Sequence, residues 1–161
     1  MQTRIRATGQ VLLEHEWIKW VATTYAKSIS AMTADIYDRF DSDAVFEGPQ
    51  ATGGTVYQYS QRDGVEQQSD GKWYTKYILG PVFTDGETTA VEQEAAYKAQ
   101  KDTEQAKSVR ASRTEKLKDC DWTQISDSTA DKAAWATYRQ ALRDITTQAG
   151  FPWTVEWPVQ P

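Results

Sequence analysis

A histidine between two carboxylates is a candidate metal ligand or general base, and this chain has one, His15 between Glu14 and Glu16. No second histidine and no cysteine pair exists to complete a ligand set, so His15 reads as a surface or half-buried structural residue. The one thiol, Cys120, lies between Asp119 and Asp121. Neighbouring negative charge disfavours the thiolate that a nucleophile needs, so it too reads as structural. Two acid pairs remain, Asp41/Asp43 and Asp119/Asp121. Glycoside cleavage takes two carboxyl groups roughly 5–10 Å apart across a groove. Acids near turns and helix ends are ordinarily caps and solvated faces, and these pairs are read that way. The sequence has no phosphate-binding loop, nucleophile elbow, dinucleotide fingerprint or His-Glu-x-x-His motif. The expectation is a protein without a catalytic residue, a metal or a cofactor.

What the chain does hold is binding chemistry. Its apolar mass is concentrated in 7 Trp, 8 Tyr and 4 Phe, the large amphipathic side chains enriched at interface anchors. A net charge of -5 argues against an electrostatic grip on nucleic acid or on an anionic membrane surface. No stretch approaches the roughly 20 apolar residues of a membrane span, and no signal-peptide pattern follows Met1. A single cysteine is consistent with assembly in a reducing cytoplasm.

The elements that would position these side chains fall into three parts: a mixed N-terminal domain (1–84), a long linker helix (85–118) and a C-terminal module (119–161), together an α+β chain. Gln2 to Ala7 fits a short strand. Leu13, Trp17, Trp20, Val21 and Thr24 have helical spacing, although 17–21 also suits a buried strand. Thr33 can cap a short helix holding Ile36, Tyr37 and Phe40. Asp63-Gly64 and Asp70-Gly71 each suit a hairpin turn, which predicts an antiparallel β-meander over 55–79 with strands near 55–62, 65–69 and 72–79. Trp73, Thr75, Tyr77 and Leu79 then share one face. From Thr89, which forms a capping box with Glu92, to Lys118 there is no Gly or Pro, and the run predicts a helix of roughly 45 Å. Its apolar stripe is thin: Val91, Ala95, Ala99, Ala106, Val109 and Leu117.

Further on, Ser128 with Asp131 can cap a helix over 129–149, with Tyr138, Leu142 and Ile145 on its apolar face and Trp135 beside it. Gly150 and Pro152 end it. Phe151, Trp153, Val155 and Trp157 then recur at period two, as in an extended aromatic arm, edge strand or polyproline-like, folded along that helix. The expected core of this module is Trp122, Trp135, Tyr138, Leu142, Ile145, Phe151, Trp153 and Trp157.

Asp121-Trp122-Thr123, the run Tyr138-Arg139-Gln140-Ala141-Leu142-Arg143-Asp144 and the ending Trp157-Pro158 resemble the C-terminal domain of the phage tail assembly chaperone family, over about residues 110 to 161. The resemblance implies a non-enzymatic role in building or decorating a phage tail, with tail-fibre or baseplate proteins, or copies of the chain itself, as partners. The N-terminal 84 residues fall outside it. A meander plus a long helix is more than an escort needs, so the expectation is a virion tail component, with a transient chaperone of the host cytoplasm as the alternative. A glycan-binding tail module using Trp73, Trp153 or Trp157 as stacking platforms is a second alternative. Candidate partner-binding residues are Val91, Ala95, Ala99, Ala106 and Val109 on the long helix, and Trp73 and Tyr77 on the meander. Arg139 and Arg143 share one helical face, where they either dock an acidic partner or clamp the C-terminal arm, with Asp144 and Glu156 as candidate ion-pair acids.

Overall fold

Alternation along Gln2–Ile5 starts the fold. In this strand, β1, Thr3 and Ile5 are buried while Gln2 and Arg4 face the other way. The structure, a computed structural model, describes all 161 residues and has two compact units, Met1–Val82 and Phe83–Pro161. In the first, β1 lies antiparallel between β2 (Val11–Leu13) and β3 (Ser42–Phe46). Strand β5 (Trp73–Gly80) pairs parallel with β3 and antiparallel with β4 (Tyr59–Gln67), giving the order β2-β1-β3-β5-β4.

Two helices, α1 (Glu14–Tyr25) and α2 (Ala34–Arg39), cover the sheet face that carries Ile5 and Ala44. The helical spacing of Trp17 and Val21 therefore prevails over the buried-strand alternative. Trp17 is fully buried with Val21, Tyr37 and Phe40 around it. Its indole N–H donates to Ser42 Oγ at 3.0 Å, and Ser42 donates to the Phe40 carbonyl at 2.9 Å. The one polar atom of the largest core side chain is thus satisfied inside the core.

The two Asp-Gly pairs have different fates. Asp70-Gly71 is the β4–β5 turn, with Gly71 at φ 78 and Gln68 N–H bonded to the Lys72 carbonyl at 3.0 Å. Asp63-Gly64 is not a turn. Gly64, at φ 82, is the site of a bulge where the register shifts between Arg62 and Val65, and β4 runs on through it. The bulge absorbs the positive φ without ending the strand, and Asp63 still reaches Lys76 across the pair at 3.0 Å. The meander of three strands is therefore one hairpin, and the other neighbour of β5 is β3 in parallel. Residues 55–58 form a turn before β4. Gly48 is required by close approach: a Cβ there would lie 2.0 Å from the Thr75 carbonyl oxygen, and its N–H donates to Thr75 Oγ1 at 2.7 Å.

The second unit is built on α3 (Ala90–Asp119), capped as the sequence predicts. Glu92 N–H bonds Thr89 Oγ1 at 3.2 Å, and the Glu92 carboxylate accepts from Thr89 N–H at 2.9 Å. Phe83 packs on Tyr97 at 5.6 Å between centroids, and the Gln93 amide ties down the Thr84 and Thr88 carbonyls. The second half of α3 is more than a linker, because Val109 belongs to a core with Cys120, Tyr138, Leu142 and Ile145.

Helix α4 (Lys132–Asp144) starts later than the sequence suggests. Asp131, not Ser128, is the cap, accepting from Ala133 and Ala134 N–H at 3.0 and 3.1 Å, whereas Ser128 Oγ takes the Ala130 N–H in the preceding turn. The helix tightens to a 3-10 turn at Ile145–Thr147, short of the expected residue 149. The arm is not extended from its start. Gly150 to Thr154 fold into a tight turn, with both Trp153 and Thr154 N–H bonded to the Gly150 carbonyl. Gly150 is needed for that approach, since a Cβ would lie 2.5 Å from the Thr154 carbonyl oxygen, and not as a left-handed cap. Period-two spacing cannot distinguish such a turn from a strand.

Trp17→Ala is expected to cost about 3–5 kcal/mol, as for other large-to-small core changes, read from chemical denaturation of the full chain. In the capping box, the backbone N–H of Thr89 holds the Glu92 carboxyl below its ordinary value, helped by the Thr89 hydroxyl. A depressed carboxyl stabilises the fold above its unfolded value and loses that contribution as pH falls through the folded one. Glu92 is therefore expected to titrate below an ordinary glutamate by NMR, and Thr89→Ala to raise it only part of the way, because the backbone N–H at position 89 remains.

Candidate functional site

The side chains singled out for chemistry are placed as follows. His15 is exposed on α1. Asp43 accepts from Arg6 at 2.8 Å and from Arg4 at 3.4 Å, Asp38 takes another Arg6 nitrogen at 2.7 Å, and Asp41 lies 3.9 Å from the third. Hydrogen bonds to Asp38 and Asp43 raise the Arg6 pKa above its ordinary value, so the cluster is a network around a fixed cation. Cys120 is buried, with its thiol directed at the Leu117 carbonyl at 3.3 Å. No group of three His, Cys, Asp or Glu side chains is placed to hold a metal ion.

A groove of about 460 Å³ opens in the first unit between α2 and the sheet. Met1, Met32, Tyr37 and Phe46 give it an apolar lining; Asp35, the Arg6 network and Lys72 supply its polar groups. Met1 Sδ accepts from Tyr37 Oη at 3.2 Å, and Lys72 Nζ stands 5.6 Å from the Phe46 centroid. Sequence reading missed this groove because the parallel β3–β5 pairing that brings Phe46 and Lys72 together leaves no local pattern. Trp73 is half-buried at its edge, with the Arg4 guanidinium 3.9 Å from the ring centroid. Tyr77 donates its hydroxyl proton to Glu47.

Small residues of α3 divide between two environments. Val91, Ala95 and Ala99 are exposed, while Ala106 and Val109 are each only 7% exposed and are used within the unit's own interior. The aromatic arm lies against this helix. Trp153 Nε1 donates to Asp102, Arg110 stands 5.3 Å from the Phe151 centroid, and Lys116 stands 5.3 Å from that of Trp157. Gln148 completes the arrangement, donating to the Glu156 carbonyl and accepting its N–H, both at 2.8 Å. This amide imitates a strand neighbour, and no sequence pattern marked it.

Arg139 clamps a different place from the one expected. It donates to the Leu117 carbonyl at 2.8 Å, to Cys120 Sγ at 3.0 Å and to Asp121 at 2.7 Å, with its side chain 11% exposed. Asp144 is instead bonded to Gln140, and Glu156 to Gln148 through its backbone. The end of α3 presents unpaired carbonyls and a partial negative charge, which suits a guanidinium better than the arm does. Burial opposes the charge, but hydrogen bonds to Asp121 and Cys120 outweigh it and raise the Arg139 pKa. Arg143 is exposed.

Trp122 is not in the core as expected. The segment Asp121–Gln124 is a 3-10 turn that points Thr123 inward, where its hydroxyl donates to the Cys120 carbonyl at 2.7 Å. Trp122 then faces outward at 54% exposure, its ring 6.1 Å from Trp135, which meets Tyr138 edge-on at 5.6 Å. The other expected core residues, Tyr138, Leu142 and Ile145, are buried, with Trp135, Phe151 and Trp157 packed around them. Trp153 is half-buried beside Asp102.

Residues 106–161 match the family model of the phage tail assembly chaperone protein. The match begins at Ala106, the first buried residue of α3, and covers about a third of the chain. It supports a role connected with phage tails. No curated protein and no solved structure matches the chain. No helix is long and apolar enough to cross a membrane.

Arg139→Met removes the fork and leaves the Leu117 carbonyl and Asp121 without it. The expected cost is about 1–3 kcal/mol in urea unfolding, with Arg139→Lys intermediate because it keeps the charge but not the fork.

Proposed function

We propose that the chain is a non-enzymatic bacteriophage tail protein, an adaptor or decorating subunit of the tail fibre or baseplate that stays in the virion after assembly in the host cytoplasm. The observation that carries this reading is the division of the molecule. A segment matching a tail assembly family has its own core, and a separate N-terminal unit has another, built around Trp17. An adaptor needs a second folded surface; an escort does not. The groove beside α2 and the outward Trp122 supply apolar surface for protein partners, either other tail proteins or further copies of this chain. The net charge of -5 speaks against nucleic acid and anionic membrane as partners.

The second reading is a transient tail or tail-fibre assembly chaperone, favoured by the description of the matching family. A glycan-binding module has less support, since a cation stands against the Trp73 ring and another against the Trp157 ring. Against a catalytic role for the acid pairs, Asp43 and Asp121 are each bound to an arginine.

Mass spectrometry on purified particles separates the first two readings. The virion reading expects the chain at a fixed stoichiometry to other tail proteins. Its absence from particles, with presence in infected-cell lysate, supports the chaperone instead. Polysaccharide depolymerisation that disappears on replacing Asp41, Asp43, Asp119 or Asp121 would overturn both.

A further inference from the structure

We propose that the Trp122–Trp135 face docks a basic, arginine- or lysine-bearing segment of a partner protein. The proposal rests on the reading of the chain as a binding protein and names the chemistry of one contact.

Trp122 is presented outward by a frame built around it. On one side Asp121 is fixed by Arg139 at 2.7 Å, and on the other Thr123 is buried with its hydroxyl on the Cys120 carbonyl. The residues flanking the ring are thus locked, while the ring itself is more than half exposed. It leans on Trp135, and Trp135 leans on the buried Tyr138, so the exposed ring heads an aromatic row that reaches the core. Ile125, just past the 3-10 turn and 54% exposed, adds apolar surface to this segment. A ring held in this way loses little conformational freedom on binding, which is what an interface anchor requires.

Charge selects the occupant. Residues 119–132 contain four aspartates and one lysine. Arg139 neutralises Asp121, and Lys132 is directed at the Ser126 carbonyl at 3.0 Å. Asp119 and Asp127 remain exposed without a cation on the segment around Trp122, while Asp131 is engaged as the cap of α4. The nearest lysine on α3, Lys118, is paired with Glu115 at 3.0 Å. Elsewhere the chain covers aromatic faces with its own cations: Arg4 on Trp73, Arg110 on Phe151 and Lys116 on Trp157. No cation of the chain covers Trp122. An exposed indole with two unpaired carboxylates, Asp119 and Asp127, near it in the chain attracts a guanidinium or ammonium, by the ring quadrupole and by that charge together.

The experiment titrates an N-acetylated, C-amidated tetra-arginine peptide into the full-length protein and follows the indole N–H resonances by NMR. The expected result is that Trp122 and Trp135 shift first, that Trp122→Ala weakens binding at least tenfold, and that Trp122→Phe stays within about threefold. Asp119→Asn with Asp127→Asn weakens it several-fold, and tetra-glutamate gives no shift. Because Trp122 is exposed, the Ala variant is expected to fold, with the buried Trp17 indole resonance as the check. Shifts confined to the groove beside α2, no response at millimolar peptide, or equal binding by Trp122→Ala would each overturn the proposal. Incorporation of Trp122→Ala into particles is scored separately. If the peptide fails to bind but the wild-type chain is found in particles, the docking proposal falls and the tail role stands. If the peptide binds but the chain is absent from particles, the virion reading falls and the docking proposal stands.

Discussion

The guanidinium of Arg139 is the point on which the second unit depends. One planar group reaches a carbonyl in the last turn of α3, the thiol at its end and the carboxylate that opens the following 3-10 turn. These three groups lie within five residues of chain, spanning the end of α3 and the start of the 3-10 turn, and a third element supplies the arginine. Fixing them together decides where α3 stops, which way the next turn runs and how α4 returns beside it. Apolar burial of Val109, Tyr138, Leu142 and Ile145 supplies most of the attraction, but burial is non-directional and does not set the corner. A fork of fixed geometry does. The matching family segment includes both ends of this contact, Asp121 and Arg139.

The first unit has a counterpart in Arg6 and Arg4, which gather Asp38, Asp41 and Asp43. There the network sits over the β1–β3 pairing and accompanies a sheet held mainly by Trp17 and its neighbours. In both places acidic residues that look catalytic in one dimension are partners of arginines in three. Acid pairs near a turn are ambiguous in sequence because the cation that uses them comes from far along the chain: Arg6 is 37 residues from Asp43, and Arg139 is 18 from Asp121.

What was legible follows the same division. Elements defined by local chemistry were read well: α3 with its Thr89–Glu92 box, the helical face of Trp17 and Val21, and the Asp70-Gly71 turn. The core of Tyr138, Leu142 and Ile145 was visible in its spacing. Features that depend on long-range pairing were not. Gly64 has the same local signature as Gly71, and only the continuation of β4 against β5 makes it a bulge. Trp122 looked like core because large aromatics usually are, but a three-residue period in its turn gave the inward position to Thr123. The groove beside α2 follows from a parallel pairing between strands far apart in sequence, which no window of residues reveals.

Helix α3 also has an uneven grip along its length. Its rear half is wedged into the core at Ala106 and Val109, while its front half is stabilised by a cap, the Phe83–Tyr97 contact and pairs such as Glu94 with Lys98. An isolated helix is limited by the cost of its first turn, after which each added residue is nearly neutral. The rear half therefore acts as a permanent nucleus, and the front half extends from it one hydrogen bond at a time. On this distribution of contacts, backbone amide exchange is expected to slow along α3 from the Thr89 end toward Ala106 and Val109.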